Sequence, residues 1–308
     1  MSLKTNRILA LTGGEVNSKT LNGLQNLFGR ILKQGIHGLC FTPYVEGQKP
    51  GSQLTEKQIR RRLKIIKPYT NWVRSFSCTD GNELIPVIAK ELGMKTFAGA
   101  WLGTDLEVNK KEIENLVKLA KSGHVDMASV GNEVLFRKDL TETQLLEYIQ
   151  DVKQQIPDTT LTYVDAYHQF STTPKLIELS DVVSVNCYPY WEGCSIDYAL
   201  IYIKDMYQQT KKIAQGKPVI IAETGWPSVG EPLHDAVPSF ENAIKAFANT
   251  QLWARDEGVD LFYFSAFDES WKIGEEGTVG AHWGLWDKNE QAKYHKTGFL
   301  SKKIKAII

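Results

Sequence analysis

Two carboxylates stand where a buried chain would have a use for them. In Pro-Val-Ile-Ile-Ala-Glu-Thr-Gly-Trp-Pro-Ser (218–228), four apolar residues run into Glu223 before Gly225, Trp226 and Pro227 stop the run. An apolar segment that ends in one charge is how a buried parallel strand delivers a reactive group at its C-terminal end. A carboxylate there is costly unless something pairs with it, and a salt bridge to a Lys or Arg is the alternative to a chemical role. The second carboxylate, Glu133, closes Ser129-Val130-Gly131-Asn132-Glu133 in the same manner. A pair of carboxyl groups beside aromatic side chains is what glycosidic bond cleavage requires. One protonates the leaving oxygen while the other meets the oxocarbenium-like centre from the opposite face. Sugar rings lay their C–H faces on indole and turn their hydroxyls toward amides and charged groups.

The elements that must position these groups alternate regularly. Strands are expected at 37–44, 72–77, 95–102, 127–134, 160–167, 182–190, 218–226 and 261–269. Amphipathic helices lie between them at 55–66, 82–92, 109–122, 141–155, 196–214 and 240–257. Only the segment after Tyr167 is weak, with Thr173-Pro174 opening a short helix before Asp181. Asp105 or Asn109 can cap the third helix, and Thr141 with Gln144 fits a capping box. Ahead of the first strand, Leu21, Leu24, Leu27, Phe28, Ile31 and Leu32 mark one face of a helix ending at Gly35, with Asn17 or Ser18 as its cap. Eight strand–helix alternations point to a single (β/α)8 TIM barrel of the α/β class. A doubly wound open sheet is the alternative, but no GxGxxG or P-loop follows any strand. With no linker or composition break, residues 1–308 are expected to form one catalytic barrel domain, 1–36 being a helical extension packed on it.

In such a barrel the C-terminal strand ends build the site. They bring Arg74, Trp101, Asn132, Glu133, Tyr188, Glu223, Trp226 and Glu269 to one rim, with the two glutamates ending the fourth and seventh strands. No His/Asp cluster has metal-ligand spacing and no GxSxG elbow occurs, so no metal and no cofactor are expected.

Composition narrows the partners. The 308 residues carry 36 Lys and Arg against 36 Asp and Glu, and a net charge of +0 gives no electrostatic footprint for nucleic acid or an anionic membrane. No apolar run reaches the length of a transmembrane helix. Cys40, Cys78, Cys187 and Cys194 fit no zinc pattern and read as free thiols, although Cys187 and Cys194 could bridge a loop. No signal-peptide core follows the N-terminus, so the chain is cytoplasmic if this is its natural start, or periplasmic or secreted if a leader was removed. A monomer is expected.

Four motifs carry a family resemblance. Ser129-Val130-Gly131-Asn132-Glu133 resembles the acid/base motif of retaining glycosidases with their carboxylates on strands four and seven. Ile221-Ala222-Glu223-Thr224-Gly225-Trp226-Pro227 resembles the nucleophile motif of glycoside hydrolase family 17, the β-1,3-glucanases and glucanosyltransferases. Phe267-Asp268-Glu269-Ser270-Trp271-Lys272 and His282-Trp283-Gly284-Leu285-Trp286 are similar to that family's C-terminal motifs, in the same order.

The resemblance implies a β-glucan substrate, Glu133 as acid then base, and Glu223 as nucleophile. It further implies Asn132 on the sugar 2-hydroxyl, Tyr188 and Arg74 holding Glu223 ionised, Trp226 and Trp271 as sugar platforms, and Glu269 with Lys272 bonding the glucose. Arg74 as a mere neutraliser and Tyr188 as rim packing are the plainer alternatives. Trp101 and Trp283 are expected in the core, and Asp80, Asp105 and Asp268 as caps, turns or supporting acids. One departure concerns Gly280, which stands near a place where many members carry a glutamate, so the polar support of the cleft is altered there. The leading expectation is a retaining β-1,3-glucanase acting on laminarin-like polymers. A glucanosyltransferase using the same two residues, a non-catalytic glucan-binding barrel and a β-1,4-specific glycosidase are the other readings.

Overall fold

A computed structural model describes residues 12–274 and 276–294. The strands are β1 (Ile36–Cys40), β2 (Thr70–Ser75), β3 (Lys95–Ala100), β4 (Met127–Asn132), β5 (Thr160–Ala166), β6 (Val183–Asn186), β7 (Val219–Thr224) and β8 (Leu261–Tyr263). They close into a barrel in sequence order, every pairing parallel, β8 returning to β1. This is the (β/α)8 architecture. Parallel strands under a helical layer are covered on both faces, so β7 is buried at every position from Val219 to Thr224.

Helix α1 (Leu21–Gln34) precedes the barrel, and α2 (Glu56–Ile66), α3 (Leu84–Glu91) and α4 (Leu106–Lys121) follow the first three strands. The one-turn α5 (Val134–Arg137) and then α6 (Glu142–Gln155) follow β4, and the short α7 (Gln169–Thr172) and α8 (Pro174–Leu179) follow β5. Helices α9 (Ile196–Ile213) and α10 (Phe240–Glu257) follow β6 and β7. Asp105 accepts from the Glu107 and Val108 N–H groups and caps α4, and Thr141 with Gln144 forms the capping box of α6. The cap of α1 is Thr20, not Asn17 or Ser18, because the short turn Gly14–Asn17 takes up the earlier residues. Helix α1 packs against α10, with the Phe28 ring 4.7 Å from Phe247 and 5.3 Å from Tyr294. All four cysteines are free, Cys187 and Cys194 included. No helix among the described residues is long and apolar enough to cross a membrane.

The strands stop earlier than the apolar runs do, most of all β8, which ends at Tyr263. Beyond it the chain leaves the ladder: Ala266 N–H bonds to Cys40 O and Asp268 N–H to Trp286 O, at 2.9 and 2.8 Å. Three register shifts mark the barrel mouth. An extra residue sits in β4 between Ser129 and Asn132, and one in β7 around Ala222, seen against both of its neighbours. The two strands expected to carry carboxylates are therefore the two that bulge just before them, and a bulge re-aims the side chain that follows.

Candidate active site

The backbone turns sharply where β4 ends. Gly131 adopts φ 89° and Glu133 φ 53°, both in the left-handed region. A Cβ on Gly131 would lie 2.7 Å from Val134 Cγ2, so position 131 requires glycine for space as well as for conformation. Glu133 N–H reaches back to Val164 O at 2.8 Å, and Leu135 N–H is held by Tyr163 Oη at 3.1 Å. Tyr163 in turn donates to Asp165, and Arg137 donates to the Asn132 carbonyl and, at 2.9 Å, to the Leu102 carbonyl. A left-handed glutamate persists only where its surroundings over-determine it, and these bonds clamp the turn from below and from the side.

Glu223 is buried and fully engaged. Arg74 Nη1 donates to Oε1 at 2.6 Å, Asn186 Nδ2 donates to the same oxygen at 3.2 Å, and Tyr188 Oη donates to Oε2 at 2.7 Å. The salt bridge that is the alternative to a chemical role is thus present, but its carboxylate lines the cleft while Arg74 lies buried behind it. Arg74 also donates from Nη2 to Asn132 Oδ1 at 2.8 Å and rests over Phe76 at 4.4 Å. One guanidinium therefore ties β2, β4 and β7 together. Burial and the neighbouring Glu223 charge push the Tyr188 hydroxyl well above its ordinary range, so it stays a donor.

Glu133 is pushed toward its neutral form. Burial raises its pKa first and the Glu223 charge second, against the Asn186 hydrogen bond that lowers it, leaving the carboxyl at about 7. Asn186 Nδ2 lies 2.8 Å from Glu133 Oε1 and 3.2 Å from Glu223 Oε1, which holds those two oxygens within the sum, 6.0 Å. Two carboxyl groups that share one hydrogen-bond donor suit the close spacing of retaining glycosidases, about 5–5.5 Å.

Asn132, Glu133, Asn186, Tyr188 and Glu223 line a cleft of about 840 Å³. Glu269, Trp271 and Lys272 form its β8 wall. Glu269 accepts the Trp271 indole N–H at 3.2 Å, and Lys272 lies 3.5 Å from Glu269 and 3.1 Å from Glu276. Burial works against the Lys272 charge, but the two carboxylates outweigh it and raise the ammonium pKa. Gly280 has a steric cause of its own: a Cβ there would meet Lys272 O at 2.4 Å. The carboxylate missing at that point of the motif is offset by Glu276, which reaches the same cleft from four residues earlier.

Trp226 requires correction. It is 1% exposed, lies behind β7 against α9 and α10, and donates its indole N–H to Val237 O at 3.2 Å. The chain passes β8 so closely at Gly225 that a Cβ would lie 2.1 Å from Phe264 O, and the next side chain is sent into the helical layer. It is a core residue and not a sugar platform. The most exposed aromatics lining the cleft are Trp101, Phe136 and Trp191, at 39, 53 and 43% exposure, with Tyr167 and Trp271 half-buried beside them. Trp101, expected in the core, stands at the rim with Arg137 4.2 Å from its ring, whereas Trp283 is 2% exposed yet lines the cleft edge-on to Tyr188. Asn186, Glu276, Phe136 and Trp191 carried no assigned role in the sequence. Asn186 is the one with a readable signal, as it ends a strand two residues before Tyr188.

A closed parallel barrel with two unlike carboxylates at the ends of β4 and β7, under an aromatic-lined cleft, defines a barrel glycosidase. Residues 38–284 match the BtgE/BtgC glycoside hydrolase domain family, and the chain belongs to that family and, with it, to glycoside hydrolase family 17. It is 30% identical over 257 residues to a glucan 1,3-beta-glucosidase of Saccharomyces cerevisiae, covering 75% of this chain and 82% of the relative. A second relative, a glucan 1,3-beta-glucosidase of Arthroderma benhamiae, is 30% identical over 278 residues, covering 83% and 90%. The crystal structure of the family 17 β-1,3-glucanosyltransferase from Rhizomucor miehei superposes with a TM-score of 0.76 at 31% identity, covering 85% of this chain and 96% of that one.

Proposed function

We propose that the protein cleaves β-1,3-glucan by retaining double displacement, as a monomer whose cleft is built from one chain. The observation that carries this reading is the single amide nitrogen of Asn186 bonded to both carboxylates, an arrangement that suits the close spacing of a retaining pair. Glu133, neutral up to about pH 7, gives its proton to the glycosidic oxygen. Glu223, paired with Arg74 at 2.6 Å, attacks the anomeric carbon, and the bond to the leaving sugar breaks as the glycosyl ester forms. Glu133, now a carboxylate, takes a proton from the incoming water, whose oxygen displaces Glu223. Asn132 Oδ1 is taken by Arg74, while its Nδ2 has no acceptor among the described residues and is available to a sugar hydroxyl. Substrate class is supported by the names of the relatives and by a solved β-1,3-glucanosyltransferase in complex with laminaritriose, 30% identical to this chain.

The test is laminari-oligosaccharide cleavage followed by proton NMR from the first turnover. The β-anomer should form first and equilibrate later; first-formed α-anomer would sink the retaining mechanism. Equal rates on β-1,4-glucan or mannan oligosaccharides would sink the linkage assignment. The transferase reading is favoured by the similarity to the Rhizomucor miehei enzyme. It predicts products longer than the substrate at high oligosaccharide concentration, and hydrolytic products alone at every concentration would remove it. A non-catalytic barrel predicts no turnover at all.

A further inference from the structure

Asn186 ends β6 and is 4% exposed. Its Nδ2 faces three acceptor oxygens: Glu133 Oε1 at 2.8 Å, Glu223 Oε1 at 3.2 Å and Asn132 Oδ1 at 3.5 Å. Its own Oδ1 is buried and has no partner. An orphaned buried carbonyl is costly, so the amide keeps this orientation because the reverse would press Oδ1 against the two carboxylates. The donor side therefore decides where the residue points.

That arrangement has a chemical consequence for Glu133. An oxygen that accepts an N–H bond is the poorer place for the carboxyl proton, since the hydroxyl oxygen of a carboxylic acid is a weaker acceptor than its carbonyl oxygen. With Oε1 taken by Asn186, the acid proton belongs on Oε2, which has no hydrogen-bond partner among the described residues. The second consequence comes later in the cycle. Esterification of Glu223 removes its charge and weakens its oxygen as an acceptor, whereas Glu133 has just become an anion. The shared amide then serves Glu133 alone, at the moment Glu133 must be a stable base.

We propose that Asn186 is a positioning residue that couples the two carboxylates, directing the acid proton of Glu133 to Oε2 and supporting the Glu133 carboxylate during breakdown of the glycosyl ester. This rests on the retaining reading above. The other groups that bear on Glu133 are the Glu223 carboxylate from β7, Asp165 from β5 and Arg137 from α5, with Arg74 of β2 acting through Glu223 and Tyr188 lying just after β6. The first two raise the Glu133 pKa and Arg137 lowers it, so Asn186 is the uncharged contributor on the lowering side.

The experiment is the pH profile of kcat/KM on a laminari-oligosaccharide for the full chain, its Asn186→Ala and Asn186→Asp variants, and Glu133→Gln, with folding checked by circular dichroism. In Asn186→Ala the Glu133 carboxylate loses a donor, so the alkaline limb should move up by about one pH unit. Its kcat should fall more than 10-fold while KM changes little. Asn186→Asp keeps the shape but replaces a donor with an acceptor, so activity should survive only on the acid side, where the introduced carboxyl is protonated and can donate. A purely structural Asn186 predicts a uniform fall with both limbs unmoved, and that result would overturn the proposal. Should Asn186→Ala fail to fold, the isosteric Asn186→Asp decides: an unchanged pH optimum overturns the proposal and an acid-shifted one supports it. Full activity in Glu133→Gln would instead remove Glu133 as acid/base, and first-formed α-anomer would remove the retaining assignment, so these failures are distinguishable from that of Asn186.

Discussion

Glu133 and Glu223 are the same residue type at equivalent places in the barrel, and their environments separate them. Arg74, Asn186 and Tyr188 all present donors to Glu223, whereas Glu133 receives one amide N–H and faces burial and a neighbouring anion. A carboxyl raised in this way is how a general acid is kept protonated near neutral pH. The alkaline limb of activity should therefore fall near pH 7, where Glu133 loses its proton. The same displacement acts on stability with a definite sign. Glu133 ionises near 4.5 in an unfolded chain and near 7 in the native one, so the native state holds the extra proton between these values. The stability it contributes is whole below pH 4.5 and is lost as pH rises through about 7. Glu133→Gln should accordingly raise the melting temperature by about 2–4 °C in mildly alkaline buffer and hardly at all near pH 4. An equal gain at both pH values would contradict the raised native pKa. Most of these site residues were legible as residue types at strand ends. What was not legible was which oxygen meets which donor, because that depends on side chains from β2, β6 and β7 meeting across the mouth.

At the scale of elements, the strands deliver chemistry by departing from regularity. The extra residues of β4 and β7 and the left-handed Gly131 and Glu133 lie within a few positions of the two carboxylates. A Cβ at position 131 would collide with Val134 at the start of α5, the turn whose Leu135 N–H is fixed by Tyr163 and whose Arg137 holds the carbonyls of Asn132 and Leu102. Gly131→Ala should thus displace Glu133 and cost at least about 1–2 kcal/mol from the positive φ alone. Since misplacement of a catalytic group by about 1 Å can cost 100-fold, kcat should fall by more than the loss of stability explains. Measured kcat and urea stability that fall in simple proportion would argue that the turn does not position Glu133. The apolar runs were readable as strands, but their ends were drawn too long. A run of apolar residues continues smoothly through a bulge and out of the ladder, as Phe264, Ala266 and Phe267 do after β8.

The whole molecule closes its outer layer with a helix from the other end of the chain. α1 packs beside α10, and the fully buried Phe28 meets Phe247 and Tyr294. Leu21–Gln34, ahead of the first strand, is thus part of the barrel's outer wall. Phe28→Ala should cost about 3–5 kcal/mol, as a large ring removed from a packed core does, with kcat near that of the unaltered enzyme at temperatures where the variant is folded. Urea denaturation beside activity measurements checks this, and a loss under about 1 kcal/mol would mean that α1 is only loosely attached.

Periodicity and residue type alone predicted the eight alternations, the barrel, its strand order and a carboxylate at the end of the fourth and of the seventh strand, because burial on both faces of a parallel strand writes itself into a run of apolar residues. They also marked Asn132, Tyr188 and Arg74, which sit at or just beyond strand ends. Only the tertiary structure decided that Trp226 belongs to the core while Trp101, Phe136 and Trp191 face the cleft. An indole has the same composition on either side of a strand, and its direction is set by how closely Gly225 passes Phe264. It decided too that Glu276 meets Lys272 where Gly280 leaves no carboxylate, and that one amide on β6 touches both glutamates. Those contacts join residues far apart in the chain, and no local pattern encodes a distance closed only when the eighth strand meets the first.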